Sequence, residues 1–276
     1  MSSFHATGDT PICKRAGNRR HTHPCGAFAI LVISLLSACT AGPTSGPLAE
    51  GLHILDTCIK GERIAGVVSA DATASGDGDR LRPDRLAAIE DLASRVALCG
   101  GTLKVSAFSS SAAATTTLFE GQIPLQGATD TARARRAPKA VAKVLVEIKT
   151  AYPAAAKTLS GGGSDIVAQF RLAAEYANQL GDGYRLRLLI LSDGFQNIGV
   201  NVSEAAESPG GATQAAAKFE VPDLSGANVT IAGIGKAKGQ APPTKIVDGV
   251  KAFYQALCKR TGAERCSVVT GFTAGR

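Results

Sequence analysis

The chain predicts a doubly wound α/β domain, a mostly parallel sheet with helices on both faces. Short apolar runs at 63–70, 102–108, 185–192 and 228–235 alternate with stretches of helical periodicity, the pattern of strand–helix–strand units. Arg185 to Ser192 reads Arg-Leu-Arg-Leu-Leu-Ile-Leu-Ser, close to the continuous apolar run of a strand buried on both faces. Tryptophan is absent and aromatics make up 5% of the chain, so Ala, Val, Leu and Ile must build the core. A sugar-binding role loses ground on the same count, because such sites lean on exposed aromatic platforms.

Ordered sequence is expected from about Leu52. Arg63 to Ala70 forms the first strand and runs into the acidic, Gly-rich loop from Asp71 to Asp79. Pro83 suits a helix start, where its missing N–H costs nothing. Leu86, Ile89, Leu92 and Val96 share one face of that helix, which stops at Gly100-Gly101. Thr102 to Phe108 is the second strand, and Thr116 to Ile123 a third, antiparallel to it across the turn from Ser109 to Ala114. A helical pattern from Arg133 to Ala151 aligns Val141, Leu145 and Ile148, and Pro153 is expected to bend or close it.

Gly161 to Asp165 is a loop leading into a helix that carries Ile166, Phe170, Ala173, Tyr176 and Leu180. Asp193-Gly194 ends the next strand. Residues 195–225 are polar, contain Gly and Pro, and read as a long loop with a helical turn or more. A strand from Asn228 to Gly235, a helix from Pro243 to Arg260 and an edge strand from Ser267 to Thr270 complete the order.

The N-terminal segment has a different logic. Ala27 to Leu36 is apolar and follows Lys14, Arg15, Arg19 and Arg20, giving a positive region, a greasy region and a small-residue cut site. It is well short of the roughly 20 residues of a spanning helix. Leu36-Ser37-Ala38-Cys39 resembles the bacterial lipoprotein box, whose cysteine is acylated and becomes the new N-terminus. That resemblance implies residues 1–38 as a signal peptide, lipid on Cys39, and an extracytoplasmic protein anchored to the bacterial cell membrane or outer membrane. Residues 39–51, rich in Gly, Pro, Ser and Thr at their start, are expected to be a tether, with the domain from 52 to 276.

Loss of four basic residues and Asp9 with the signal segment lowers the formal net charge from +7 to +4. Arg133, Arg135 and Arg136 form the one dense basic run. It lacks the interleaved aromatics of a nucleic-acid surface and reads as a solvated helix start, though anionic lipid or wall polymer would also be attracted to it. No nucleic-acid partner is expected. Cys58, Cys99, Cys258 and Cys266 make an even count in an oxidising compartment. Proximity favours Cys258–Cys266 among the three pairings, which leaves Cys58–Cys99. Zinc is poorly served, since His53 is the one histidine after residue 38 and no Cys-x-x-Cys occurs.

Three pieces fall at strand C-termini or helix starts: Asp71-Ala-Thr73-Ala-Ser75, Gly163-Ser164-Asp165 and Asp193-Gly194. Open α/β sheets bind ligands in that crevice. The side chains are carboxylates and hydroxyls, hard oxygen donors suited to Mg²⁺, with Mn²⁺ or Ca²⁺ as alternatives. In this set the chain resembles the von Willebrand factor A (vWA) domain, a Rossmann-like fold, over about residues 60–262. Its metal-ion-dependent adhesion site is written Asp-x-Ser-x-Ser, then Thr, then Asp. The resemblance implies Asp71, Thr73, Ser75, Ser164 and Asp193 as the metal set. Thr73 replaces a Ser and Ser164 a Thr, and each exchange keeps the hydroxyl. The duller alternative for every one is capping or turn chemistry.

Enzyme readings have little support. The glycine loop lacks the Gly-Lys-Ser/Thr ending of a nucleotide P-loop. Gly-x-Ser-x-Gly is absent, and a serine relay would depend on His53, ahead of the first strand. A phosphatase-type pair would need a second Asp where Thr73 stands, and Asp77-Gly78-Asp79 lacks the spacing of a calcium loop. The resemblance instead implies a non-enzymatic binding module, whose ion takes an acidic residue of a partner protein in its open coordination position. Loops 76–82, 109–115 and 195–225 would set partner choice, with Phe195, Gln196 and Asn197 as rim contacts. The rivals are a metal-free structural lipoprotein of the same fold that organises an envelope complex, and an extracytoplasmic hydrolase.

Overall fold

A computed structural model describes residues 46–73, 81–159 and 162–272. The signal segment, Cys39, Ser75 and the Asp77–Asp79 loop lie outside the described residues. Six strands form one sheet in the order β3-β2-β1-β4-β5-β6. They are β1 (Arg63–Asp71), β2 (Gly101–Phe108), β3 (Thr115–Gly121), β4 (Tyr184–Leu191), β5 (Asn228–Ala232) and β6 (Arg265–Val269). All neighbours pair parallel except β2 and β3, which are antiparallel. This is the predicted doubly wound α/β class. β1 and β4 are adjacent at the centre, so strand order reverses between them, and their C-terminal ends mark the place where open α/β sheets form a ligand crevice.

Helices α2 (Pro83–Cys99) and α3 (Asp130–Thr158) pack on one face of the sheet. α4 (Ile166–Leu180), α5 (Val202–Glu207), α6 (Gly211–Ala217) and α7 (Thr244–Arg260) cover the other. Alternate residues of β1 feed the two cores, with Val68 and Ala70 on the α2 side and Ala65 and Val67 on the α4 side. The last turn of α2 ends against Gly101, whose φ of 140° and 2.0 Å clearance between an added Cβ and the Ile64 carbonyl admit no side chain.

The tether is shorter than the sequence predicts. Helix α1 (Pro47–Asp56) begins inside it, with Pro47 in the first turn. Gly51 and Ile54 are buried, and Gly51 lies so close to α3 that an added Cβ would stand 3.0 Å from the Ala134 methyl. Leu48, Leu52 and Leu55 pack around that contact. A Gly-Pro-Ser-rich start hid an amphipathic turn behind it.

Pro153 does not close α3, which runs from Asp130 to Thr158 through Pro138 and Pro153. Tyr152, Ala155 and Ala156 bury themselves in the main core, and that burial offsets the lost backbone bond. Two arginines of the basic run brace the fold: Arg133 donates to the Leu98 carbonyl at the end of α2, and Arg136 to the Gln126 carbonyl at 2.7 Å. Cysteines pair as Cys58–Cys99 and Cys258–Cys266. Among the described residues no helix is long and apolar enough to cross a membrane.

Candidate functional site

Asp71 is the last residue of β1, and the β1–β4 register sets Ala70 beside Leu191. The two chains therefore leave the sheet side by side, carrying Asp71 on one and Ser192-Asp193 on the other. Asp71 and Asp193 are each 1% exposed, Thr73 5% and Ser164 4%. Buried carboxylates need hydrogen-bond donors or a cation, and Asp71 has three donors. Its Oδ1 accepts from the Thr73 amide at 3.0 Å and the Thr73 hydroxyl at 2.7 Å. Its Oδ2 accepts from the Ser192 hydroxyl at 2.7 Å.

Ser164 joins from a distant part of the chain, its hydroxyl donating to Thr73 Oγ1 at 3.2 Å across 91 residues of sequence. The structure thus brings together Asp71, Thr73 and Ser164 directly. Asp193 stands next to Ser192, the residue that bridges to Asp71, and its Oδ1 accepts from the Phe195 amide at 3.0 Å. Ser75 lies outside the described residues.

The capping alternative separates cleanly at α4. Asp165 is the N-cap, accepting from the Ala168 amide at 3.2 Å. Ser164 has no capping duty, and its hydroxyl is turned to Thr73 instead. At Asp71 and Asp193 the turn explanation holds in part, since each carboxylate accepts an amide two residues on.

Gln196 is not a rim contact. It is 1% exposed, and its Oε1 accepts from the Ile166 and Val167 amides at 2.6 and 3.0 Å, while its Nε2 donates to the Ile198 carbonyl at 2.6 Å. Those two amides belong to the first turn of α4, where no intrahelical acceptor exists. Gln196 therefore ties the loop after β4 to the helix start that carries Ser164. Asn197 remains exposed, and its Oδ1 accepts from the Ser164 amide at 2.9 Å.

Two further contacts fix the crevice floor. Tyr254 of α7, fully buried, donates to the Gly194 carbonyl at 3.0 Å. Gly194 has φ 85°, and an added Cβ would stand 2.6 Å from Ile234 and 2.8 Å from Val250. Burial pushes the Tyr254 hydroxyl well above its ordinary value of 10.0, and Asp193, Asp71 and Asp165 push it the same way. Three carboxylates thus act on one buried hydroxyl. On the other side Arg85, also fully buried, donates to the Asp71 carbonyl at 2.8 Å.

Sequence reasoning missed Ser192, Tyr254 and Arg85 as parts of this site and gave Gln196 a rim role in place of its internal one. Ser192 had a signal, being the polar residue that ends an apolar strand beside Asp193. The other three roles had none, because each is set by a partner 14 to 60 residues away in the chain. Among the described residues no group of three or more His, Cys, Asp or Glu forms a metal cluster; the crevice offers two carboxylates and hydroxyls instead. No protein-family model matches the chain, and no curated protein matches it.

Proposed function

We propose that the protein is a membrane-anchored extracytoplasmic lipoprotein whose vWA-like domain binds a partner protein through a divalent cation. The observation that carries this reading is the convergence of Ser164, Thr73 and Asp71 in one buried chain of hydrogen bonds, with α4 capped by another residue. An octahedral Mg²⁺ with ligands at 2.0–2.1 Å places adjacent oxygens about 2.9 Å apart. The Thr73 and Ser164 hydroxyl oxygens stand 3.2 Å apart, so the donor pair fits such an ion with little adjustment. Thr73 and Ser164 would bind it directly, Ser75 with them, and Asp71 and Asp193 would hold it through water. The ion would supply an open coordination position for an acidic side chain of the partner. Lipid on Cys39 would keep the domain at the cell membrane or outer membrane.

One observation favours the metal-free structural lipoprotein instead. Asp71 already accepts three hydrogen bonds, so the network closes without a cation. Magnesium titration followed by thermal melting separates the two, since a ligand at a hundred times its dissociation constant adds about 2.7 kcal/mol. A pull-down from membrane extracts with and without chelator then tests the partner. Recovery that ignores chelator, with no Mg²⁺ shift, leaves the structural reading ahead.

A further inference from the structure

Among the described residues, the sheet face that carries α2 and α3 is only partly covered. Those helices pack against β1, β2 and β3, and among the described residues α1 joins them by packing on the helices and not on β4, β5 or β6. The strand sequences record the difference. The upper half of β4, Leu188 to Leu191, is apolar on both sides, whereas Arg185 and Arg187 alternate with Leu186 and Leu188 in the lower half. β5 and β6 alternate likewise, turning Asn228, Thr230, Arg265 and Ser267 toward the face of Leu189 and Ala232. Such alternation marks a strand with one wet side.

Register gathers these polar groups into a row. Gly66 of β1 lies beside Arg187, Arg187 beside Asn228, and Asn228 beside Arg265. At strand spacings of 4.7–4.9 Å the two arginine Cα atoms stand about 9.5 Å apart, with the asparagine between them. α2 walls the inner end, for an added Cβ on Gly66 would meet Val96 at 2.7 Å. The outer end is the open edge strand.

Among the described residues the charges in this row have no ion-pair partner of their own. Arg185 below it is held by Glu62 and Glu264, and Arg95 on α2 by Asp91 at 3.5 Å. Arg187 and Arg265 make no ion pair with described residues. Among the described residues the buried Arg187 Nε has no hydrogen-bond partner, nor has the buried Asn228 side-chain oxygen; turned over, that amide presents its NH₂. Burial draws the Arg187 guanidinium below the ordinary arginine value, and Arg95, Arg185 and Arg265 add to the effect against Asp91. A half-buried arginine beside other cations, with a donor left over, is costly without an anion.

We infer that Arg187, Asn228 and Arg265 form a binding site for an oxyanionic group, a phosphate or a carboxylate. Two guanidinium forks flank an amide, and each fork matches the oxygens of either group. Thr230 and Ser267 in the adjoining row add hydroxyls on the same face. The site lies four residues before the end of β4, about 13 Å from the crevice along the strand. It owes nothing to a divalent cation.

The test follows the side-chain Nε–H resonances of Arg187 and Arg265 by NMR in chelator, at constant ionic strength set with chloride. One arm titrates inorganic phosphate and the other a Glu-rich heptapeptide. A saturable shift of both resonances, weakened at least tenfold in Arg187→Gln and in Arg265→Gln, is the expected result. Tighter binding of the peptide assigns the site to a protein carboxylate, and tighter binding of phosphate to a phosphate group. Arg265 is exposed on the edge strand, so Arg265→Gln keeps the test open should Arg187→Gln misfold. Shifts matched by chloride alone, or binding unchanged in Arg265→Gln, overturn the inference.

Discussion

The Ser192 hydroxyl donates to Asp71 Oδ2 at 2.7 Å across the seam between β4 and β1. This one bond joins the two strand ends that the reversal of strand order sets side by side. It also orients the Asp71 carboxylate, leaving Oδ1 to Thr73. Ser192→Ala removes one of three donors from a buried carboxylate, and the expected loss is about 2 kcal/mol by denaturant unfolding. If Mg²⁺ binds, its affinity falls in the same variant.

Ser164 and Asp165 are adjacent and have different tasks. Asp165→Ala removes the cap of α4 and is expected to cost about 1 kcal/mol without added metal. Ser164→Ala should cost less than that in chelator, because no helix amide depends on its hydroxyl. The Mg²⁺-induced rise in melting temperature is expected to vanish in Ser164→Ala and to survive in Asp165→Ala. A purely structural crevice gives no Mg²⁺ shift in any form, wild type included.

Gln196 links the loop after β4 to the start of α4. Gln196→Ala leaves the buried amides of Ile166 and Val167 without their acceptor. A loss of about 3 kcal/mol is expected, together with faster hydrogen exchange at both amides.

Tyr254 gives the alkaline limit. Its folded-state value lies above the ordinary 10.0, with burial the leading cause. The stability it contributes is therefore complete below pH 10 and is lost as pH rises through the folded value. Tyr254→Phe loses about 1 kcal/mol at pH 7 with the bond to Gly194, and its melting temperature should fall less steeply above pH 10.

The disulfides close loops of different length. Separations of 41 and 8 residues give about 4 kcal/mol for Cys58–Cys99 and about 2.5 kcal/mol for Cys258–Cys266 on the chain-entropy account. Paired Cys→Ser variants, unfolded in urea, are expected to rank in that order.

The sheet and its long helices were legible because burial on two faces writes itself into strand composition, as in β4. The crevice residues were legible because their loops follow strand ends or open a helix. Three features were not. α1 hid behind a glycine- and proline-rich start, and its seat on Ala134 is a tertiary contact. α3 passes Pro153 because Tyr152 and Ala155 are buried, a gain that local propensity cannot register. Gln196 is a polar residue in a polar stretch, and only the packing of α4 against that loop makes it an internal brace.

The bond between Cys58 and Cys99 also determines how the domain would respond to a mechanical load from its N-terminal side. Tension entering through α1 divides at Cys58. One branch follows residues 59–62 into β1, and the other crosses the sulfur bridge to the threshold of β2. Neighbouring strands are thus tugged together from the same end. Stripping β1 alone out of the sheet would leave the second branch taut, so failure under force has to begin elsewhere or after reduction.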